Sequence, residues 1–190
     1  PAFITLPSVA APAEQVIQFA DRHARLFYLA GWLQVTGALL STVFFLVLIH
    51  LTASIRRLSG MTALAGATLL LGVVAIEAVL LEAVPMVAAD GDRAAVSVTY
   101  ALANDGVFAR IFPLAPASLV FAGLGLILLE SRLLHPVFGR SALVIAALFL
   151  LAGAAAVTGQ PGVVFAIVMS VVEAVWIPAT AVALARWRPR

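Results

Sequence analysis

Residues 69–87 constrain this chain more than any other stretch. They read Leu-Leu-Leu-Gly-Val-Val-Ala-Ile-Glu-Ala-Val-Leu-Leu-Glu-Ala-Val-Pro-Met-Val. A run this long and apolar suits the hydrocarbon core of a bilayer, about 30 Å thick. Yet it carries two carboxyl groups, Glu77 and Glu82, and a second apolar run over 163–185 carries a third, Glu173. Ionisable groups inside a membrane segment are costly and face a protein interior or a wet cavity. The implied fold class is an all-α, polytopic membrane helical bundle.

Composition points the same way. Of 190 residues, 64% are hydrophobic and 11% charged, whereas soluble domains carry about 25% charged residues. So few polar groups cannot coat a surface facing water. With no Cys, disulfides, thiol catalysis and thiolate metal sites are excluded. All 11 basic residues are Arg, which fits compositional bias. They sit in connections rather than on one basic face, so the formal +2 charge is no nucleic-acid footprint; nucleic acid is not an expected partner.

The chain order predicts two units. Residues 1–25 form an extracytoplasmic arm and interfacial helix, with the prolines at 7 and 12 breaking the first part and Pro12 opening a helix over 13–25. The Pro1 start fits a terminus trimmed of its Met, and no basic n-region marks a signal peptide. Residues 26–190 form a single transmembrane bundle with spans at about 26–55, 61–89, 107–134, 141–158 and 162–186. A short helix capped by Asp92 fills the break between spans two and three. Small residues mark expected packing seams: Gln34, Gly37 and Ser41 on span one; Ala63, Gly66 and Gly72 on span two; 122–125 on span three; 152–156 on span four. The sequence 159–162, Gly-Gln-Pro-Gly, reads as a tight hairpin joining spans four and five.

Five spans put the termini on opposite sides. Arg56, Arg57, Arg132, Arg140, Arg186, Arg188 and Arg190 fall on one side; Arg22, Arg25, Arg93 and Arg110 on the other. The positive-inside rule then sets the N-terminus outside and the C-terminus in the cytoplasm of a bacterial inner membrane.

The candidate ligand-binding or proton-linked residues are Glu77, Glu173, Trp176, Ser170 and Gln34. Taking span midpoints near 75 and 174, Glu77 and Glu173 reach similar depth. If they meet, they share a proton, since two adjacent carboxylates resist joint ionisation. Ser170, Glu173 and Trp176 form either a buried seam or a pocket with an acid, a hydroxyl and an aromatic face able to hold a cation. Gln34 either bridges helices or lines a cavity. Glu82 and Arg110 are a candidate structural ion pair, with Arg110–Asp105 the alternative. Metal is not expected: His50 and His135 have no third ligand at a diagnostic spacing. No catalytic residue is identified, and no phosphate-binding loop, dinucleotide fingerprint or nucleophile elbow occurs.

The long first span, the acidic break after span two, the Asn104-Asp105 turn, Phe112-Pro113-Leu114-Ala115-Pro116 and Leu133-Leu134-His135-Pro136 resemble the small multi-pass bacterial integral membrane proteins of unknown function. That resemblance implies a membrane bundle and no particular activity. Three functions stay open. The bundle binds or moves a small hydrophobic or cationic molecule through its carboxylates. Alternatively it is a non-catalytic accessory subunit of a larger membrane complex. In the third reading it is an intramembrane enzyme using a protonated Glu on a lipid-phase substrate, against which the missing catalytic motif counts. No cofactor is expected, although a bound lipid or pigment suits the first and third readings. The expected partners are the lipid bilayer and, for the second reading, other membrane subunits.

Overall fold

The computed structural model describes residues 6–8, 10–104, 111, 116–156 and 160–186. Among these the regular structure is entirely helical: α1 Ala13–Leu51, α2 Leu58–Ala89, α3 Arg93–Ala101, α4 Ser118–Ser131, α5 Pro136–Ala156 and α6 Gln160–Ala185. Four segments are long and apolar enough to cross a membrane: Ala13–Leu51, Leu58–Ala89, Pro136–Ala155 and Val168–Ala185. α4 has 14 residues, about 21 Å at 1.5 Å per residue, and π-helical residues 116–117 lead into it; residues 107–110 and 112–115 of the expected third span lie outside the described residues.

The expected arm helix and span one run together as Ala13–Leu51, but they are two helices meeting across a kink at His23 (φ −127°, ψ 22°), close to the expected boundary at 25. Two other boundaries differ from expectation. α5 starts at Pro136, ahead of the expected 141. Proline loses nothing at a first helical position, and His135 receives the Val137 N–H on Nδ1 (3.3 Å) and the Phe138 N–H on its carbonyl (3.0 Å). α6 already includes Gln160 of the expected hairpin 159–162; residues 157–159 lie outside the described residues.

Other signals act as the chemistry requires. α1 ends in a Schellman motif: Ser54 N–H bonds Ile49 C=O (3.1 Å), Ala53 N–H bonds His50 C=O (3.0 Å), and Ala53 takes φ 50°. After α2, Gly91 supplies φ 72°, and Asp92 caps α3 by accepting from Ala95 N–H at 3.0 Å.

The helices stack in a row. α1 packs on α2, α2 on α4, α4 on α5 and α5 on α6, while α3 lies across α1 and α2. Glycines set the tightest crossings. A Cβ on Gly123 would fall 2.4 Å from the Ala63 nitrogen, one on Gly66 2.5 Å from the Val120 nitrogen, and one on Gly139 2.9 Å from the Gly125 carbonyl oxygen. Two expected seam glycines do not pack: Gly37 and Gly72 have nothing within 4 Å and are exposed.

Two apolar cores result. The larger joins Phe45, Leu48 and Ile49 of α1, Ala63, Ala67 and Leu70 of α2, and residues of α4, α5 and α6. Phe121 is its hub, with ring centroids 5.8 Å from Phe149, 6.5 Å from Phe45 and 5.2 Å from Trp176. The smaller core gathers Val16, Ala20, Phe27, Val84, Ala88, Val96 and Tyr100 from the far ends of α1 and α2 and from α3. Polar staples close both ends of the molecule. Glu130 accepts from Ser59 Oγ (3.1 Å) and pairs with Arg57 (3.5 Å); Glu14 pairs with Arg93 (3.2 Å).

Candidate functional site

Between the two cores lies a polar seam. Gln34 and Gly31 on α1 face Glu77 and Glu82 on α2. Glu77 is 4% exposed, and its Oε1 accepts from Gln34 Nε2 at 2.7 Å. A buried carboxyl needs such a donor, because an unsatisfied polar group away from water costs several kcal/mol in lipid. Gln34 is therefore an interhelical bridge. Its Oε1 has no hydrogen-bond partner among the described residues, and neither does Thr42 Oγ1.

Glu82 folds over Gly31: a Cβ there would meet Glu82 Oε1 at 2.6 Å and Cγ at 2.9 Å. The proposed partner Arg110 and its alternative Asp105 lie outside the described residues. The structure pairs Gln34 with Glu77 and Glu82 with Gly31, because antiparallel helices pair residues whose numbers rise on one and fall on the other.

Glu77 and Glu173 do not meet. No hydrogen bond joins them, and α6 packs on α5 while α2 packs on α1, α3 and α4. Relative depth follows from the contacts. Gly123 sits on Ala63, Gly125 abuts Gly139 and Leu143, and Ser141 binds Trp176. Ala63, Gly123, Ser141 and Trp176 thus lie near one level. At 1.5 Å per residue, Glu77 is about 21 Å above Ala63, whereas Glu173 is only about 4.5 Å above Trp176. The carboxyls differ by roughly 15–20 Å along the bundle axis. The midpoint estimate fails because α2 outruns the α5–α6 hairpin. Ala156, about 22 Å above Ser141, is level with Glu77, so α1 and α2 continue past the point where that hairpin turns.

Trp176 is a core residue. It is 7% exposed, its indole N–H donates to Ser141 Oγ at 2.9 Å, and its ring stands edge-on to Phe121. Ser141 Oγ–H donates to Phe138 C=O (3.0 Å), and buried Thr180 donates to Trp176 C=O (2.8 Å). The ring face is committed to protein, which removes it as an open aromatic platform.

Glu173 differs. It lies on the same side of α6 as Met169, Trp176 and Thr180, which are 1%, 7% and 0% exposed, yet Glu173 is only half-buried. No hydrogen bond or ion pair reaches it among the described residues. Half-buried Ser170, Ile177 and Leu184 flank it within about a 60° arc at 100° per residue, outlining a crease beside α6. Among the described residues no three His, Asp or Glu gather to hold a metal ion.

Sequence reasoning missed Ser141 as the indole partner, Gly31 as the seat of Glu82 and Glu130 as a staple. The first two are ordinary small residues with no local mark. Glu130 was readable as polar, but its partners come from another helix. No family model matches the chain, and no curated protein or solved structure matches it either.

Proposed function

We propose that this chain binds a small molecule with an apolar body and a cationic or hydrogen-bond-donating group in the crease beside α6, with Glu173 as its polar handle. One observation carries this reading: among the described residues no hydrogen bond or ion pair reaches Glu173, which lies on the bundle-facing side of α6, whereas Glu82 folds over Gly31 of the neighbouring α1. An acid so placed is costly unless protonated or met by a donor. Glu77 already has that donor in Gln34 and serves as an interhelical clasp. Half-buried Ser170, Ile177 and Leu184 stand beside Glu173 on α6. The membrane is a bacterial cytoplasmic one, with the Arg56, Arg132 and Arg186 end inside, a placement supported by the arginine asymmetry.

The alternative, an accessory subunit, has less support. The outward face of α6, with Val168, Val171, Val175 and Val182 exposed, suits lipid as well as protein, and it points away from Glu173. An enzyme is disfavoured because no second reactive group is held against Glu173 among the described residues.

Equilibrium dialysis of the detergent-purified protein against tetraphenylphosphonium tests the proposal. Saturable binding is expected, with Glu173→Gln weakening it about tenfold, the effect of roughly 1.4 kcal/mol, and Glu77→Gln leaving affinity unchanged if it folds. Equal affinity of wild type and Glu173→Gln, or no saturable binding by wild type, overturns it. A protein that co-migrates on native gels with wild type and is lost with Glu173→Gln would transfer the acid to the subunit reading.

A further inference from the structure

The opposite end of α1 carries a second, unrelated site. A groove of about 590 Å³ is lined by Leu46, Ile49, His50, Ala53, Ile55 and Arg56. Its walls are apolar and its polar groups are basic. We propose that this groove binds one anionic phospholipid, with the phosphate held by Arg56 and His50 and the upper acyl chain laid along Leu46.

Four observations support this. First, the groove is built rather than loose. The Schellman bonds from Ser54 and Ala53 fix the turn, Thr52 Oγ1 bonds both Leu48 C=O (2.7 Å) and Ser54 Oγ, and Arg57 N–H bonds Ser54 C=O (2.8 Å). Gly60 lets the Ser54 carbonyl sit where a Cβ would collide. Second, its two basic groups are available. Arg57 is engaged by Glu130, whereas neither Arg56 nor His50 has a carboxylate partner among the described residues. Third, the end is basic: Arg56, Arg57, Arg132, Arg140 and Arg186 stand against Glu130, which Arg57 and Ser59 already occupy. A phosphate with a net negative headgroup is favoured there, and the ammonium of a zwitterionic headgroup is not. Fourth, apolar surface continues from the groove: Leu46, Leu51, Ile55 and Leu58 are exposed, where an acyl chain can lie. A free phosphate would leave that wall unused.

Native mass spectrometry of the delipidated protein in micelles tests the site, using phosphatidylglycerol, phosphatidylcholine with the same chains, and inorganic phosphate as competitor. One phosphatidylglycerol should be retained in preference to phosphatidylcholine. Arg56→Ala should lower its occupancy about fivefold, the effect of one basic side chain near a lipid surface. Arg56→Lys should retain most of it, and Arg93→Ala, at the far end of the molecule, should change nothing. Inorganic phosphate should not displace the lipid. Equal retention of the two lipids, an unaltered Arg56→Ala, or full displacement by phosphate would each overturn the assignment.

Discussion

The two apolar cores of this molecule are held together by different physics. In the larger one, helices approach until backbone touches backbone: Gly123 on Ala63, Gly66 on Val120, Gly139 on Gly125. Aromatic rings around Phe121 fill what remains. That is how helices associate where lipid removes most of the hydrophobic drive and close packing must replace it. The smaller core has no such glycine crossing among its residues. It closes by ordinary side-chain burial and by polar ties: Tyr100 Oη donates to Pro7 C=O at 2.7 Å, Asp92 caps α3, and Glu14 pairs with Arg93. Burial pushes the Tyr100 phenol above its ordinary pKa, which keeps it a neutral donor. These ties hold the part of α1 and α2 that runs on past the described end of α5 at Ala156. The Gln34–Glu77 seam marks the border; of the two acids nearest it, Glu77 is bonded across to α1 through Gln34 and Glu82 packs over Gly31.

The comparison breaks most sharply at Gly123. Gly123→Ala forces a Cβ to within 2.4 Å of the Ala63 backbone, so a loss of about 3 kcal/mol or more is expected from overpacking, read as a large drop in the melting point in detergent. Gly72→Ala, with nothing within 4 Å, should be neutral or slightly stabilising. If both melt alike, backbone contact does not hold the larger core.

A smaller effect is expected at the border. Gln34→Leu removes the donor and leaves Glu77 buried and unpaired, a loss of about 1–3 kcal/mol. Adding Glu77→Leu should recover part of it, because two apolar partners need no hydrogen bond. Strictly additive losses would show that the bridge is not what joins α1 to α2 there.

The smallest effect belongs to the cap. Arg93 and Glu14 are 71% and 52% exposed in their side chains, so Arg93→Ala should cost at most about 1 kcal/mol and less in high salt. Hydrogen exchange should rise in α3 and leave the larger core unchanged. A loss comparable to that of Gly123→Ala would mean that the cap and the bundle fold as one unit.

The sequence alone determined the class, the helix order and most breaks. Apolar run length, the Asp90-Gly91-Asp92 stop and the Arg-rich connections are local signals, and each acts through the residues next to it. The 122–125 run was legible as packing material for the same reason. Local pattern could not tell which glycines pack. Gly37 and Gly66 look equivalent in the sequence, yet one faces open space and the other a backbone nitrogen, since that depends on where a second helix lies. Nor could it fix depth. Span midpoints placed Glu77 beside Glu173, but the stagger between α2 and the α5–α6 hairpin is set by the chain of contacts from Ala63 through Gly123 and Ser141 to Trp176. Only those contacts decided that one acid is clasped by Gln34 and the other has no partner among the described residues, because the partner of a buried polar group is chosen by the register of neighbouring helices, which no single helix encodes.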